Sequence, residues 1–281
     1  MSEPAQAVSA HYGRAGLGEA ILAALRASGK DVDRLTPDDL APVDEFHTGQ
    51  RGATKRLAEL AKVRGGERVL DVGSGIGGPS RYLARTFGCH VTGVDLTPEF
   101  VTVATMLAER TGLAGKVVYR QGNALDLPFA EASFDLVWSQ NAAMNIADRD
   151  KLYREMRRVL APANSGAGGR LAFQDVALGP GGKPWYPTPW AKDASISCVF
   201  TPEETRTALE RAGFRIAAWH EPNRAALDQA IARAESVAGA PQPPLGLHLL
   251  IGPDFPAVAG NMLRNLQEAR ITLVNAVCEV V

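Results

Sequence analysis

The sequence predicts an α/β protein with a doubly wound, mainly parallel sheet of seven strands and helices on both faces. Three observations indicate this fold class. From Arg68 onward, short apolar runs alternate with stretches of helical periodicity. Several of these runs are almost continuously apolar, which is typical of strands covered on both faces. A glycine cluster follows the first run directly and leads into a helix, as in folds that bind a ligand at the end of a strand.

The alternating units can be placed along the chain in order. Strands are predicted near residues 68–72, 91–96, 117–121, 134–139, 170–176, 214–220 and 271–281. The intervening helices are predicted at residues 79–87, 98–111, 148–160 and 202–212. Thr97 and Thr201 each stand before a proline and an acidic residue, which is a helix start signal. We therefore expect both threonine side chains to cap their helices.

Helical segments flank the core on both sides. Before the first strand, residues 18–29 form one amphipathic pattern, and residues 44–61 lead into another. Between the last two strands, helices are predicted at 224–240 and 255–270, within a connection of the length that usually forms a lid or cap. The predicted organisation is an N-terminal helical segment (1–60), a core (61–222), a helical cap (223–270) and a final core strand (271–281).

Composition narrows the classes of partner. The formal net charge is −1, so there is no electrostatic basis for nucleic acid or an anionic membrane as the main partner. No apolar stretch reaches the roughly 20 residues that cross a bilayer, and the first residues lack a secretory signal pattern. The three cysteines match no zinc or CxxC spacing. We expect a cytoplasmic protein with reduced cysteines and no bound metal; the oligomeric state is not predicted.

The stretch VLDVGSGIGGPSRYLA (69–84) contains a candidate ligand-binding loop. Its glycines fit G-x-G-x-x-G, the last of them being Gly78, and a further glycine precedes that residue. Glycine permits positive φ and removes the Cβ that would collide with a ligand, while the amides of the following helix point at the bound molecule. Asp95 ends the next strand, where a carboxylate can accept hydrogen bonds from ribose hydroxyls. A ribose-containing ligand is therefore expected here rather than a plain turn.

The ribose can belong to a pyrophosphate dinucleotide or to S-adenosylmethionine, whose sulfonium is cationic and which has no phosphate. Asp71 favours the second, because a carboxylate just before the glycines opposes a phosphate and attracts a cationic amino acid portion. The element GNALDLPF also favours it, since this element brings Asn123 and Ala124 to the sheet edge where ligands bind. Two alternatives stay open: an NAD(P)-dependent oxidoreductase, and a non-catalytic nucleotide-binding protein.

Four motifs follow one another along the chain: VLDVGSGIGG, VTGVDLTPEFV, GNALDLPFAEASFDLVWSQNAAMNIAD and LYREMRRVLAP. Together they resemble the class I S-adenosylmethionine-dependent methyltransferases over about residues 60–220. The resemblance is closest to the small-molecule branch that includes sarcosine/dimethylglycine N-methyltransferases and quinone-biosynthesis C-methyltransferases. It implies a Rossmann-like fold, S-adenosylmethionine as the methyl donor, S-adenosylhomocysteine as its product, and an N-terminal lid. The implied acceptor is a small molecule, either an amine such as sarcosine or dimethylglycine, or a hydroxyl or carbon of a natural product or quinone.

The resemblance also implies which residues contact the donor. Asp95 would bind both ribose hydroxyls, and Leu96 would lie against the adenine. Asn123 stands where the family usually has aspartate; its carbonyl oxygen can still accept from the adenine amine, but without charge. The implied donor-binding residues are Asp71, Gly73, Ser74, Gly75, Gly77, Asp95, Leu96, Asn123, Ala124, Ser139 and Gln140.

In-line methyl transfer requires orientation of the reactants and exclusion of water, and the sequence contains no G-x-S-x-G or HExxH motif that would indicate other chemistry. An amine acceptor reacts through its neutral lone pair, whereas a hydroxyl or carbon acid requires a general base. Candidates for a catalytic role are His220, which ends a strand, His47, and Tyr12, which is expected to precede the first helix. Candidates for acceptor binding are Asn141, Met144, Asn145, Tyr186 and Trp190.

Overall fold

The structure of the protein is a computed structural model that describes residues 3–163, 168–222, 228–229, 231–232 and 242–281. Its strands are β1 (Arg68–Val72), β2 (His90–Asp95), β3 (Val117–Gln121), β4 (Leu136–Gln140), β5 (Arg170–Leu178), β6 (Phe214–His220) and β7 (Ile271–Val280). They form one sheet in the order β3-β2-β1-β4-β5-β7-β6. Strand β7 is antiparallel to both of its neighbours, and the other pairs are parallel. The predicted doubly wound, mainly parallel α/β sheet is confirmed.

Helices cover both faces and one edge of this sheet. Four precede it: α1 (Glu3–Tyr12), α2 (Leu17–Ala27), α3 (Pro37–Asp44) and α4 (Gln50–Ala61). Four connect its strands: α5 (Gly78–Phe87), α6 (Pro98–Arg110), α7 (Arg149–Val159) and α8 (Pro202–Arg211). Between β6 and β7, the stretch described from residue 242 onward contains α9 (His248–Ile251) and α10 (Phe255–Gln267). Among the described helices, none is both long and apolar enough to cross a membrane.

The N-terminal segment contains two helices that the sequence analysis did not predict. Tyr12 was expected before the first helix but is the last residue of α1. Helix α3 is short, yet it has a capping box, because Thr36 Oγ1 accepts from Asp39 N at 3.3 Å and the Asp39 carboxylate accepts from Thr36 N at 2.9 Å. The sequence signal for α3 was the Thr-Pro-Asp-Asp start, but the helix has only 8 residues and contains Pro42.

The two predicted threonine caps have different outcomes. Thr201 Oγ1 accepts from Glu204 N at 3.1 Å and completes a capping box on α8. Thr97 occupies the N-cap position of α6, but its side chain makes no capping hydrogen bond, so that prediction was wrong. The Thr97 amide instead donates to Asp95 Oδ1 at 2.9 Å, and this contact holds the loop after β2 to its own strand end. The predicted helix at 224–240 lies almost entirely outside the described residues.

A buried ion pair fixes the N-terminal helices onto the core. Arg81 on α5 and Asp44 at the end of α3 lie 2.8 Å apart, and both side chains are completely buried. Gly78 at the start of α5 makes this approach possible, since a Cβ there would overlap the backbone carbonyl of Asp44. The last glycine of the G-x-G-x-x-G pattern therefore serves helix packing. It holds α3 beside the glycine loop, where the candidate site begins.

Candidate functional site

A cavity of about 2320 Å³ opens at the carboxyl edge of the parallel strands. The loops after β1, β2, β3 and β4 form one side, and helices α9 and α10 with strand β7 form another. Helix α1 contributes Val8 and Tyr12 to the wall. Parallel strands bring their carboxyl ends to a common edge, so residues far apart in sequence meet there. Most of the predicted site residues line this cavity.

The glycine loop after β1 has two glycines with different functions. Gly73 has φ +76°, and a Cβ there would overlap the Cβ of Ala142, so glycine lets the loop after β4 approach closely. Gly75 also has positive φ, at +53°, but a Cβ at this position would meet no protein atom within 4 Å. Gly75 lines the cavity. Its missing side chain therefore leaves open space in the cavity, and contact of this loop with a ligand stays a prediction.

Asp95 is held in place by backbone amides on both of its oxygens. Its Oδ2 accepts from Gly75 N at 2.8 Å, and its Oδ1 accepts from Thr97 N at 2.9 Å. Each carboxylate oxygen can accept about two hydrogen bonds, so the carboxylate keeps acceptor capacity beyond these two amides. Burial raises the pKa of Asp95, and hydrogen bonds from the Thr97, Gly75 and Leu96 amides and from the Thr97 hydroxyl oppose that shift. The carboxylate lines the cavity and can hold two adjacent hydroxyls such as those of a ribose.

Two further polar groups lie beside the glycine loop. Asp71 accepts from Ser80 Oγ at 2.6 Å, and burial raises its pKa to about 7. Ser74 Oγ is buried and, within the described parts of the chain, has no hydrogen-bond partner. Both residues line the cavity. A buried polar atom without a partner is costly, so the free hydroxyl of Ser74 fits a ligand that hydrogen-bonds there.

The adenine-side residues predicted from the resemblance meet at the same edge. Leu96, Asn123 and Ala124 line the cavity. Asn123 Oδ1 accepts from Leu125 N at 2.9 Å and keeps a second acceptor position, because an amide oxygen has two lone pairs. These three residues can therefore contact a flat base at the end of β2 and β3.

Two other predicted donor contacts lie outside the cavity lining. A Cβ on Gly77 would overlap Tyr119 Oη, so this glycine allows the loop to pack against β3. Ser139 Oγ donates to the Val72 carbonyl at 3.1 Å and bridges β4 and β1. The geometry gives both residues a packing function, and their contact with a donor stays a prediction.

Gln140 lines the cavity, but its amide is committed to a buried network. Its Oε1 accepts from Trp138 Nε1 at 2.9 Å, and its Nε2 donates to Gln174 Oε1 at 3.0 Å and lies 3.4 Å from His47 Nδ1. His47 Nε2 lies 2.8 Å from Glu45 Oε2. This pattern places the histidine proton on Nε2 and makes Nδ1 an acceptor. His47 therefore has both nitrogens occupied and acts as a positioning group for Gln140.

Asn141 has an acceptor atom without a partner. Its backbone is in the left-handed region, with φ +52°, a conformation that asparagine tolerates better than most residues. Its Nδ2 lies 3.3 Å from Thr48 Oγ1, but its buried Oδ1 has no partner among the described residues. Asn141 lines the cavity. The carbonyl oxygen of Asn141 can thus accept a hydrogen bond from a bound molecule, as predicted for an acceptor-binding residue.

Tyr12 and Asn145 connect the N-terminal segment to the loop after β4. Tyr12 Oη donates to Asn145 Oδ1 at 2.9 Å, and Asn145 Nδ2 donates to the carbonyls of Trp190 and Ile196 at 2.7 and 2.9 Å. Burial raises the pKa of the Tyr12 hydroxyl, which therefore stays protonated. Both side chains line the cavity, but their hydrogen-bonding groups face each other. They close the cavity wall and offer no free base.

The remaining acceptor-side predictions divide into two groups. Met144 and Trp190 line the cavity, whereas Tyr186 does not. His220 lines it at the far end of β6. The structure adds residues that sequence reasoning missed, namely Asn275 on β7 and the apolar side of α10 with Val258, Met262 and Leu266. A helical period in residues 255–267 was the only sequence signal for the latter.

Within the described ranges, no cluster of His, Cys, Asp and Glu is arranged to hold a metal ion.

Comparison with known proteins finds a family model and several relatives that this chain resembles. Residues 70–170 match the family model described as a methyltransferase domain. The methyltransferase GfsG of Streptomyces halstedii is 37% identical over 142 residues, which are 50% of this chain and 48% of that protein. The glycine/sarcosine/dimethylglycine N-methyltransferase of Actinopolyspora halophila is 35% identical over 124 residues, which are 44% of this chain and 22% of that protein. The matched segment thus spans half or less of these curated relatives.

A solved structure shares the whole architecture. The geranyl diphosphate C-methyltransferase from Streptomyces coelicolor A3(2), in complex with Mg²⁺, geranyl diphosphate and S-adenosyl-L-homocysteine, superposes with a TM-score of 0.71. The alignment covers 100% of this chain and 98% of that chain at 18% sequence identity. At this identity the similarity concerns the fold alone.

Proposed function

We propose that this chain, whose residues 70–170 form a class I S-adenosylmethionine-dependent methyltransferase domain, transfers a methyl group from S-adenosylmethionine to a small-molecule acceptor. One observation supports the proposal most directly. The Asp95 carboxylate is fixed by two amides, keeps acceptor capacity for a ligand and lies beside the open space left by Gly75. This arrangement suits the ribose of an adenosyl group. A dinucleotide fits less well, because the buried carboxyl of Asp71 lies next to the same loop.

Bound S-adenosylmethionine supplies a sulfonium that is already an activated leaving group for its methyl. The residues of the chain bind and orient it. Asp95 holds the ribose, ionised Asp71 receives the positively charged amino group, and Ser74 Oγ gains the partner that it otherwise lacks. Orientation of two reactants can contribute on the order of 7–11 kcal/mol to lowering the barrier. The contact between Tyr12 and Asn145 joins helix α1 to the loop after β4 in the cavity wall.

Which atom of the acceptor receives the methyl group depends on whether the cavity holds a base that could remove a proton from it. His47 has both nitrogens in hydrogen bonds, and Tyr12 stays protonated. Neither is poised to remove a proton. His220 lines the cavity too, but the strand register places it about 14 Å from Gln140, away from the donor loop. The arrangement therefore favours an acceptor that reacts through a neutral lone pair, as an amine does. The sequence resemblance to sarcosine/dimethylglycine enzymes points to the same class of atom. The second candidate is a natural-product hydroxyl or carbon, for which His220 in the cavity wall would be the base.

Binding of the donor should depend on pH through Asp71. Its pKa of about 7 means that the carboxyl is protonated below neutral pH and ionised above it. The ammonium of the donor prefers the ionised form, so binding requires loss of one proton in acid. Affinity should therefore fall by up to about tenfold per unit as the pH drops from 7 toward 5.5. Isothermal titration calorimetry across this range, in two buffers of different ionisation enthalpy, measures both the affinity and the proton release.

The matched control is Asp71→Asn, which keeps the side-chain volume and can still accept from Ser80 Oγ. This variant should bind the donor more weakly at pH 7.5, and its affinity should vary less between pH 5.5 and 7 than that of the wild type, because only Asp95, whose pKa is also raised by burial, still titrates in the donor site. A wild-type affinity that stays constant over this interval would remove Asp71 from the donor site.

Gly75→Val tests whether this glycine is required for ligand binding or for packing of the protein. The Cβ of the added side chain meets no described protein atom within 4 Å, so the main cost to folding should be the backbone strain of a β-branched residue at positive φ, at least about 1–2 kcal/mol. In the cavity it occupies the volume assigned to the donor, and S-adenosylmethionine affinity should fall at least tenfold. Calorimetry and thermal unfolding report the two effects separately. Equal donor affinity in the variant and the wild type would argue against this loop as the site.

The proposed reaction is tested by equilibrium binding followed by turnover. The wild-type protein should bind S-adenosylmethionine and S-adenosylhomocysteine in preference to NADH. Incubation with methyl-labelled donor and a cell extract should then yield a labelled small molecule, identified by mass spectrometry. Preference for NADH would favour the oxidoreductase, and donor binding without transfer to any pool would favour a non-catalytic binding protein.

A further inference from the structure

We infer that the methyl acceptor is a bulky, largely apolar small molecule, and that Asn275 binds a hydrogen-bonding group at its far end. This inference rests on the proposed function and names the substrate class for the same cavity. The acceptor chamber is defined as the part of the cavity between strand β7 and helix α10. Its wall is formed by Val258, Met262, Leu266, Leu273, Asn275 and His220.

The cavity is larger than the donor alone requires. Sites for drug-sized ligands usually enclose about 300–1,000 Å³, and this cavity encloses about 2320 Å³. Even if the donor takes a full share of that range, a volume suited to a second molecule of similar size remains. The remaining volume is shared between the acceptor chamber and the part of the cavity along α3 and α4, and it exceeds what a small amino acid such as sarcosine fills. The volume therefore admits an acceptor much larger than sarcosine.

The chemistry of the chamber wall is the second argument. Val258, Met262 and Leu266 are spaced four residues apart, so they lie along one side of α10. Val258 is 4% exposed, and Met262 and Leu266 pack in the same apolar cluster as Leu273 of β7. This wall offers dispersion contacts and no charge, which suits a hydrocarbon-rich acceptor. A zwitterionic amino acid would gain nothing from it.

Polar side chains occupy paired positions on four neighbouring strands and form a row across the sheet. Strand register pairs Gln140 with Gln174, Gln174 with Asn275, and Asn275 with His220. Paired residues project from the same face, and neighbouring strands lie about 4.8 Å apart, so Asn275 and His220 lie about 10 and 14 Å from Gln140. The side-chain amide of Gln140 donates a hydrogen bond to Gln174 Oε1 at 3.0 Å. The row therefore leads from the donor side into the acceptor chamber.

The far half of the row is available for a ligand. Among the residues that the structure describes, neither the half-buried Asn275 side chain nor the His220 imidazole has a hydrogen-bond partner. Both line the cavity. A molecule whose accepting atom lies near Asn141 reaches Asn275 only if it extends for about two strand spacings, or about 10 Å. Sarcosine and dimethylglycine are too short for this. The separation of Asn141 and Asn275 therefore favours acceptors that are long enough to contact both residues.

The test uses the protein saturated with S-adenosylhomocysteine and 1-anilinonaphthalene-8-sulfonate as the apolar probe. The wild type should bind the probe saturably, with a rise in fluorescence. Met262→Trp fills the chamber and should weaken probe binding at least tenfold. Ala257→Trp is the matched control, because Ala257 is exposed on the same helix and lies outside the cavity lining; it should leave probe affinity unchanged.

Asn275→Asp provides a second variant that preserves side-chain volume. The added negative charge repels the sulfonate, so probe affinity should fall severalfold while S-adenosylhomocysteine affinity stays at the wild-type value. Equal probe binding by the wild type, Met262→Trp and Asn275→Asp would overturn the inference, as would displacement of the probe by millimolar dimethylglycine. Failure of the wild type to bind S-adenosylhomocysteine, measured first by calorimetry, would instead refute the proposed function.

Discussion

Replacing Asp95 with alanine is expected to lower the affinity for S-adenosylmethionine by at least about 100-fold. The carboxylate is offered to two ribose hydroxyls, and hydrogen bonds to charged groups contribute roughly 1.5–3 kcal/mol each. Loss of both therefore costs about 3 kcal/mol or more, which corresponds to at least about a hundredfold in the dissociation constant. Calorimetric titration of the donor at pH 7.5 measures the change.

Asp95→Asn separates this binding effect from a structural one. The amide oxygen can accept from only one of Gly75 N and Thr97 N, and the other amide then faces the NH2 group, so one anchoring hydrogen bond and the charge are both lost. Donor affinity should lie between those of the wild type and Asp95→Ala, with a melting temperature a few degrees below that of the wild type. An alanine variant that remains folded and binds the donor normally would refute the ribose assignment.

Replacing Arg81 with methionine should destabilise the protein by up to about 3–5 kcal/mol, because it leaves the buried Asp44 carboxylate with only the more distant Arg51, 3.9 Å away, as a cationic partner. The Arg81 and Asp44 side chains lie 2.8 Å apart and are both fully buried. Asp44 would also lose the contact that holds α3 beside the glycine loop. Urea unfolding, followed by circular dichroism and fitted by linear extrapolation, measures the free energy of unfolding.

A surface pair supplies the matched control. Arg68 and Asp135 are also close, at 2.7 Å, but their side chains are 52% and 34% exposed. Arg68→Met should change the free energy of unfolding by less than about 1 kcal/mol, since water screens exposed ion pairs. If Arg81→Met costs no more than Arg68→Met, the buried pair does not hold α3 to the core.

The core of the fold was accessible from sequence because its signals are local. Apolar runs marked the strands, and helix periodicity marked the connections to within a few residues. Helices α1 and α3 were missed, because α1 has no buried residue and α3 has a proline inside it. Thr97 followed a valid capping pattern, but the carboxylate of Asp95 bonds the Thr97 amide and the threonine hydroxyl makes no cap. Local propensity cannot anticipate a competing partner of that kind.

The donor side of the site was more predictable than the acceptor side for a physical reason. Asp95 and the glycine loop lie at the ends of neighbouring strands that follow each other in sequence, so a motif describes them. The acceptor chamber depends on the position of β7 between β5 and β6, which brings Asn275 beside Gln174. No local pattern encodes that register. The unpaired oxygen of Asn141 is likewise a property of the folded environment alone.

The most direct test of the central claim is a crystal structure of the complex with S-adenosylhomocysteine. Both ribose hydroxyls should lie within about 2.5–3.0 Å of the Asp95 carboxylate oxygens. The homocysteine amino group should face Asp71, and the ligand should pass over Gly75 where no Cβ obstructs it. A ribose found elsewhere in the cavity, with the Asp95 oxygens bonded only to Gly75 N and Thr97 N, would contradict the account.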